Sequence, residues 1–279
     1  GISILVNLIL SVLKLIAGIV AHSGAMISDA VHSASDVGST LIVIVGVKLS
    51  GKKSDQEHQY GHERMECVSS IILSGLLLAT GLGIGLSGVE NIMKSTSGAA
   101  IAIPGMLALA AAVISVVVKE WMFWYTRGAA RKINSGALMA DAWHHRSDAL
   151  SSVGSFVGIF GARMGFPMLD PLASVVICLF VVKAAVDIFR DAISKMTDRS
   201  CDQKTVNEMH DCIMNIRGVE GIDLLKTRSF GSKYYVDIEI SADGNKKLWE
   251  THAIAENVHQ AIEHQFPLVK HCMVHVNPA

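Results

Sequence analysis

The stretch IILSGLLLATGLGIGL, residues 71–86, contains no charged side chain. A helix needs about 20 mainly apolar residues to cross a bilayer, and this stretch lies inside an apolar segment of that length. Other segments share this character, so the sequence predicts six transmembrane helices, at about 1–21, 25–49, 66–92, 100–125, 136–162 and 168–190. A large soluble bundle of buried helices is the alternative. Segments such as LALAAAVISVVV, residues 107–118, disfavour it.

Composition divides the chain into two parts. Charged residues make up 18% of the 279 residues, whereas about 25% is usual for a soluble globular protein. They are sparse before about residue 195 and frequent after it, which predicts a transmembrane domain at 1–195 and a second domain at 200–279. The net charge of −1 gives no reason to expect a nucleic acid partner. The five cysteines form no C-x-x-C pair, which favours reduced thiols.

Basic residues predict the orientation in the membrane. They concentrate in the connections after the second, fourth and sixth segments, as Lys52, Lys53, Arg64, Arg127, Arg131, Lys132, Lys195 and Arg199. By the positive-inside rule these connections face the cytoplasm, so both termini are predicted to be cytoplasmic, in the inner (plasma) membrane of the cell. The first segment begins at Gly1 without an initiator Met. We therefore expect a short native segment before it, with a cleaved signal peptide as the alternative.

Residues 200–279 have the pattern of a small cytoplasmic α+β domain. Two segments show a helical apolar period, and three alternate or cluster apolar residues as strands do. The predicted order is α-β-β-α-β, over KTVNEMHDCIMNI (204–216), GIDLLKTRSF (221–230), KYYVDIEIS (233–241), WETHAIAENVHQAIEHQF (249–266) and KHCMVHV (270–276).

Two octets within the apolar part repeat one pattern, Asp-Ala-x-His-x-x-Ser-Asp. They are DAVHSASD at 29–36 and DAWHHRSD at 141–148. Positions i, i+3 and i+7 share one helix face. Each octet therefore places two carboxylates and an imidazole in one stripe, formed by Asp29, His32 and Asp36 on the second helix and by Asp141, His144 and Asp148 on the fifth.

Depth and charge indicate why the two stripes would meet. At about 1.5 Å per residue, the His-x-x-x-Asp pairs lie roughly 11–18 Å from opposite surfaces of a core about 30 Å thick. Two carboxylates, two neutral imidazoles and one divalent cation sum to zero charge. Four nitrogen and oxygen ligands suit tetrahedral Zn²⁺ and suit Mg²⁺, Ca²⁺ or Cu(I) poorly. The predicted site is His32, Asp36, His144 and Asp148; hydrogen bonding between helices without metal is the alternative.

Two neighbours of the second stripe need a separate explanation. His145 points about 100° away from His144 on a helix, so we expect it to pack or to form a hydrogen bond. Arg146 is costly at this depth unless it pairs, reaches the surface or meets water. The sequence does not indicate its partner.

A polar loop supplies a second candidate metal site. The segment SDQEHQYGHERME, residues 54–66, offers one carboxylate and two imidazoles within eight residues, from Asp55, His58 and His62, with Glu57 as a substitute ligand. A solvated polar loop that binds no metal is equally compatible with this composition.

The paired His-x-x-x-Asp motifs resemble those of the cation diffusion facilitators, and the resemblance covers essentially the whole chain. It implies six transmembrane helices, a cytoplasmic metallochaperone-like domain and a transport site at His32, Asp36, His144 and Asp148, with Asp29 and Asp141 supporting it or carrying protons. Histidine on both helices resembles the zinc-preferring subgroup. The run KEWMFWYTRGAARKINSGALMADAWHHRSDA, residues 119–149, also resembles bacterial members associated with iron or manganese.

The resemblance also implies roles outside the helices. It makes Asp55, His58 and His62 an accessory zinc site, links Arg64 to Asp198 as a charge interlock, and implies a homodimer through the cytoplasmic domain. A metal cluster in that domain would use the positions of Asp223, Glu239, His252, His275 and Asn277. Three of these five depart from the family pattern, which argues against tight metal binding there. The remaining histidines, His210, His259, His264 and His271, are expected to be surface residues.

The predicted function is that of a secondary transporter, not an enzyme, with Zn²⁺ as substrate and as a candidate structural ion. Metal and protons compete for the same ligands, so a site open alternately to each side would exchange them and drive metal export. Fe²⁺, Mn²⁺, Cd²⁺ or Co²⁺ could replace Zn²⁺, and a passive divalent-cation channel is the alternative from another class. An intramembrane metalloprotease would need a pattern such as H-E-x-x-H, which the sequence lacks.

Overall fold

Six long helices lie in the described residues of the first two thirds of the chain. The computed structural model describes residues 2–20, 24–96, 106–163 and 169–279. The helices are α1 (Ile2–Val20), α2 (Gly24–Ser50), α3 (Met65–Thr96), α4 (Met106–Lys132), α5 (Gly136–Arg163) and α6 (Leu169–Met196). Each of the six predicted segments overlaps one of these helices, and the predicted residues 100–105 and 168 lie outside the described residues. Helices α4 and α6 continue past their predicted ends, because basic residues such as Arg131 end an apolar run without ending a helix.

One helix in the described part of the chain is both long and apolar enough to cross a membrane. It is the segment Met65–Glu90 of α3, which includes the uncharged stretch at 71–86. The membrane crossing of the other five helices stays a prediction from the sequence.

The chain divides into two compact units. The first comprises Gly1–Gly51 and Val68–Ala192, and the second comprises Lys52–Cys67 and Ile193–Ala279. The loop between α2 and α3 thus groups with the C-terminal part, whereas the sequence boundary at about 195 had assigned it to the helices. Sequence order places this loop between two helices, but its contacts are with residues far along the chain.

Small residues bring the helices of the first unit close together. Ala137 and Ala140 of α5 are buried in one cluster with Val43 of α2 and Leu73 of α3. Alanine allows close approach of helix backbones, and packing of this kind is the main attraction between helices in lipid. Helix α5 therefore lies directly against α2, which is the pairing that the two octets require.

The second unit contains a three-stranded sheet and two helices. The elements are α7 (Gln203–Met214), β1 (Gly221–Phe230), β2 (Lys233–Ala242), α8 (Leu248–Gln265) and β3 (Val269–Pro278). This is the predicted order α-β-β-α-β. The sheet order is β1-β2-β3, with β1 and β2 antiparallel and β2 and β3 parallel. Both helices share one core with alternate residues of β2, through Met209, Ile213, Val236, Ile238, Ile240, Val258 and Ile262.

The loop 52–67 is held against this sheet by specific contacts. The Tyr235 hydroxyl donates a hydrogen bond to the carbonyl oxygen of Tyr60 at 2.9 Å, and Lys270 forms an ion pair with Glu63. Gly231, in the turn between β1 and β2, has φ +64°, and a Cβ atom there would overlap the Glu63 carbonyl oxygen. The turn therefore requires glycine both for its backbone angle and for the close approach of the loop.

Candidate metal centre

Helices α2 and α5 bring three predicted ligands together inside the first unit. Asp36, His144 and Asp148 each offer a ligand atom, and these atoms lie within 4.8 Å of one another. Nε2 of His144 lies 3.2 Å from Oδ1 of Asp36. The three residues are 2%, 7% and 7% exposed, respectively. Two carboxylates and an imidazole in a buried cluster can bind a divalent transition metal.

Local sequence explains how these groups converge. His144 and Asp148 are four residues apart on α5, so their side chains lie on one face. Asp36 lies on the facing helix, where Thr40, one turn further along, hydrogen-bonds through Oγ1 to the Asp36 carbonyl oxygen at 3.2 Å. The second octet of the sequence therefore provides two of the three ligands, and the first octet provides the third.

The first octet is only partly described. Asp29 and His32 lie in helix α2, and His32 is one turn before Asp36, but the side chains of both lie outside the described residues. The predicted fourth ligand, His32, therefore remains a prediction.

A lysine outside the predicted ligand set bridges the two carboxylates of the cluster. Nζ of Lys119, on α4, is 2.5 Å from Oδ2 of Asp36 and 2.9 Å from Oδ2 of Asp148. Lys119 is 1% exposed. The sequence contained a signal, because Lys119 directly follows the apolar run 107–118 inside a predicted transmembrane helix. A charge in that position needs a partner of opposite sign.

The neighbours of the cluster contact other buried or partly buried side chains. Asp141 accepts a long hydrogen bond from Oγ1 of Thr40 at 3.4 Å. His145 is fully buried, with Nε2 at 3.6 Å from Oδ2 of Asp141, which is too long for a hydrogen bond. Arg146 lies 3.4 Å from Glu120, and its guanidinium lies 4.4 Å from the centre of the Phe123 ring. Charge pairing and cation–π contacts together explain an arginine in this segment.

The loop residues form a second cluster. Asp55, His58 and His62 offer ligand atoms within 4.8 Å of one another, and the two imidazole rings are 4.4 Å apart. Asp55 accepts hydrogen bonds from Nζ of Lys52 at 2.7 Å and from the backbone N–H of His58 at 2.8 Å. These donors hold the pKa of Asp55 well below its ordinary value, so the carboxylate is ionised and available as a ligand at neutral pH.

The predicted partners Arg64 and Asp198 meet. Nη2 of Arg64 lies 2.5 Å from Oδ1 of Asp198, and Asp198 has a positive φ of 60°. The guanidinium also lies 4.9 Å from the centre of the Phe230 ring. Both residues belong to the second unit, so this pair fastens the loop to the chain just after α6.

The five predicted positions of the C-terminal domain do not form a comparable cluster. Asn277 donates a hydrogen bond from Nδ2 to Oδ2 of Asp223 at 2.8 Å, and Glu239 pairs with His275 across β2 and β3. Within the described part of the chain, the clusters of three or more ligating groups are those at Asp36 and at Asp55, so His252 and these four residues belong to neither. The Asn277 amide therefore occupies one carboxylate oxygen of Asp223.

Comparison with known proteins identifies the domains. The family model for the "Cation efflux transmembrane domain" matches residues 2–197. The model for the "Cation efflux protein, cytoplasmic domain" matches residues 201–279. The two matches together span almost the entire chain.

Several curated proteins are similar over nearly the full chain. Metal tolerance protein C1 of Arabidopsis thaliana is 33% identical over 97% of this chain, which spans 60% of that relative. The manganese efflux system protein MneS of Bacillus subtilis is 31% identical over 99% of this chain and 93% of its own. Magnetosome protein MamB of Magnetospira sp. is 30% identical over 95% of this chain and 89% of its own. The solved structure "MamM-CTD 215-293" is 21% identical over 27% of this chain and 98% of its own, with a TM-score of 0.26.

Proposed function

This chain belongs to the cation diffusion facilitator family, and on that premise we propose that it exports Zn²⁺ from the cytoplasm in exchange for protons. Members of the family are transporters of metal ions and not enzymes. The single observation that carries the proposal is the buried cluster of Asp36, His144 and Asp148 between two helices. Buried ionisable groups in membrane helices mark ion pathways.

The ligand chemistry favours exchange of metal for protons. A carboxylate or an imidazole binds a metal ion only in its deprotonated form, so metal and protons compete for the same atoms. The ligands belong to α2 and α5, two separate helices. A relative movement of these helices would open the cluster to one side when metal is bound and to the other when protons are bound.

The proposed membrane topology and the proposed dimer are those that the sequence predicts. Six helices cross the inner membrane, both termini are cytoplasmic, and the domain at 201–279 joins two copies of the chain. The loop cluster at Asp55 binds a structural Zn²⁺ that stabilises the loop on this domain. No high-affinity metal site is proposed at Asp223, Glu239, His252, His275 and Asn277.

Mn²⁺ is the second candidate substrate. Two relatives, MneS and MneP of Bacillus subtilis, are named manganese efflux system proteins, and they are 31% and 30% identical to this chain. The described part of the cluster contains two carboxylates and one imidazole, and oxygen-rich sites suit Mn²⁺ better than nitrogen- or sulfur-rich sites do. Participation of His32 would favour Zn²⁺.

Uptake into proteoliposomes tests the proposal. Purified protein is reconstituted, a pH gradient is imposed, and the initial uptake of Zn²⁺, Mn²⁺, Fe²⁺, Cd²⁺ and Co²⁺ is measured separately. We expect Zn²⁺ uptake that increases with the proton gradient and stops when an ionophore dissipates it. Uptake that does not depend on the proton gradient would support a passive channel instead. Uptake of Mn²⁺ in preference to Zn²⁺ would support Mn²⁺ as the substrate.

A further inference from the structure

Lys119 occupies the position that links the two carboxylates of the metal centre. Its ammonium lies 2.5 Å from Asp36 and 2.9 Å from Asp148, and the residue is 1% exposed. These contacts join three helices, because Lys119 belongs to α4, Asp36 to α2 and Asp148 to α5. A buried charge without a partner is costly, so the ammonium and the carboxylates stabilise each other.

The ammonium and a metal ion would bind the same carboxylate oxygens. A Zn²⁺ ion binds carboxylate oxygen at about 2.0–2.2 Å, so it would have to lie within a few ångströms of Nζ of Lys119. With neutral imidazoles, the two carboxylates and the ammonium sum to −1. A divalent ion added to this set would bring the charge to +1, whereas a divalent ion that replaces the ammonium would leave it at zero.

We propose that Lys119 is a tethered cation that holds Asp36 and Asp148 while no metal is bound, and that the metal ion must displace it to enter the site. This inference rests on the proposed function of the same cluster. The four-carbon stem of lysine has several rotatable bonds, so the ammonium can withdraw while the backbone of α4 stays in place.

Two consequences follow for the transport cycle. A monovalent ion that displaces the ammonium exchanges one unit charge for another and gains little, whereas a divalent ion gains a further unit of attraction from each carboxylate. Lys119 therefore favours divalent over monovalent cations. It also joins α4 to α2 and α5 in the metal-free protein, and its release on metal binding would free α4 from that contact.

Equilibrium binding of Zn²⁺ to the full-length protein in nanodiscs tests the proposal. The transport-site component is defined as the part of the binding isotherm that Asp36→Asn removes. Lys119→Met removes the competing charge but keeps most of the side-chain volume. Lys183→Met, at an exposed position of α6, is the matched control. We expect Lys119→Met to tighten the transport-site component at least about tenfold, because it removes a like charge from the immediate surroundings of the metal, and Lys183→Met to leave it unchanged.

Other outcomes separate the two proposals. If Asp36→Asn removes a binding component and Lys119→Met leaves its affinity unchanged or weaker, Lys119 is a structural residue and the inference fails while the proposed site stands. If Asp36→Asn removes no component, the proposed site itself fails. If Lys119→Met does not fold, Lys119→Arg is tested in its place. Arginine keeps the positive charge, and its guanidinium can form two parallel hydrogen bonds with a carboxylate. The inference then requires weaker Zn²⁺ binding in Lys119→Arg, and equal or tighter binding contradicts it.

Discussion

The carboxylates of Asp36 and Asp148 are buried among helices where an unpaired charge is costly. Both contact Lys119, and Asp36 also contacts His144. Each of these groups therefore offsets part of the cost of burying the others. A single substitution in the cluster is therefore expected to have a large effect on metal uptake.

We expect Asp36→Asn and Asp148→Asn to lose metal uptake in proteoliposomes. Asparagine keeps the shape of aspartate but lacks the charge that binds a divalent ion. The loss should exceed the roughly 10- to 100-fold cost of removing a group that merely supports a ligand. Asp187→Asn, at an exposed position of α6, should transport normally. Wild-type uptake in either cluster variant would remove that residue from the proposed site.

We expect Lys52→Met to raise the pKa of Asp55 toward the ordinary value of about 3.9, because the hydrogen bond from Lys52 is the largest cause of its lowered pKa. The pKa is measured by NMR of labelled aspartate carboxyl carbons. Since the folded pKa lies below the unfolded one, ionised Asp55 stabilises the loop above about pH 4, and this contribution disappears as the pH falls further, through the folded pKa.

Lys53→Met provides the control for the Asp55 prediction. Lys53 is an exposed neighbour of Lys52, so its loss changes the net charge equally without removing a hydrogen bond to Asp55. An equal rise of the Asp55 pKa in both variants would mean that general charge, and not the Lys52 contact, lowers it. Addition of salt should reduce the difference, because Lys52 is 58% exposed and exposed charges are screened.

At the scale of residues, spacing along one helix is easier to predict from the sequence than contacts between helices. Two residues separated by a helical turn share a face whatever the rest of the fold does, so His144 and Asp148 could be paired from spacing alone. Lys119 contacts carboxylates on other helices, and the contact of Arg146 with Glu120 also joins two helices. They depend on the rotation of one helix against another, which spacing within a single segment does not determine.

Helices α3 and α6 contact each other at two glycines of α3 that are four residues apart. A Cβ atom at Gly81 would lie 2.9 Å from Val181, and one at Gly85 would lie 2.5 Å from the Cys178 sulfur. Spacing of small residues at i and i+4 is a common means of close packing between membrane helices. Further along the same interface, Leu77 is buried with Val181.

We expect Gly85→Val to destabilise the helical unit and Gly83→Val to change its stability little. A side chain at Gly85 meets Cys178, whereas nothing lies within 4 Å of a Cβ atom at Gly83. Overpacking of this kind typically costs about 1–3 kcal/mol, and the helix propensity of valine is the same in both variants. Thermal unfolding in detergent measures the difference. Equal melting temperatures would show that α3 and α6 can separate without cost.

The helices also show how far apolar pattern alone predicts an element. The pattern predicted α1, α2 and α5 to within a few residues, because polar residues or glycine flank these segments closely. It predicted the end of α4 at about 125, but the helix continues to Lys132. Residues with good helix propensity can extend a helix beyond the bilayer, and hydropathy does not record that extension.

In the whole molecule, the loop 52–67 belongs to the C-terminal unit although it connects two helices of the other unit. Its contacts use Tyr60, Glu63 and Arg64 against the sheet and the segment after α6. The candidate loop metal centre, at Asp55, His58 and His62, lies in the same segment. Metal binding there would therefore act on the attachment of the loop to the cytoplasmic domain.

We expect Gly231→Ala to loosen the loop. Alanine is strained by about 1–2 kcal/mol at a positive φ, and its Cβ atom would meet the Glu63 carbonyl oxygen. Hydrogen exchange at the amides of residues 60–63 should become faster. Ser232→Ala, in the same turn, is the control and should leave exchange unchanged. Unchanged protection in Gly231→Ala would mean that the turn and the loop do not depend on each other.

The long-range pairing of Arg64 with Asp198 came from family resemblance, since no property of the sequence itself relates residues 134 positions apart. The order of elements in the cytoplasmic domain, in contrast, followed from local periodicity. The grouping of the loop with that domain could not be predicted in this way, because polar loops carry no hydrophobic pattern that indicates where they pack.

The central claim is that α2 and α5 bind one divalent ion between them, and anomalous diffraction from crystals of the metal-loaded, full-length protein tests it most directly. With data collected above and below the zinc absorption edge, we expect a difference peak within about 2.0–2.2 Å of ligand atoms from Asp36, His144 and Asp148, and no ammonium of Lys119 between the carboxylates. Zinc peaks confined to the loop or to the cytoplasmic domain, with Lys119 still bridging Asp36 and Asp148 at saturating metal, would contradict it.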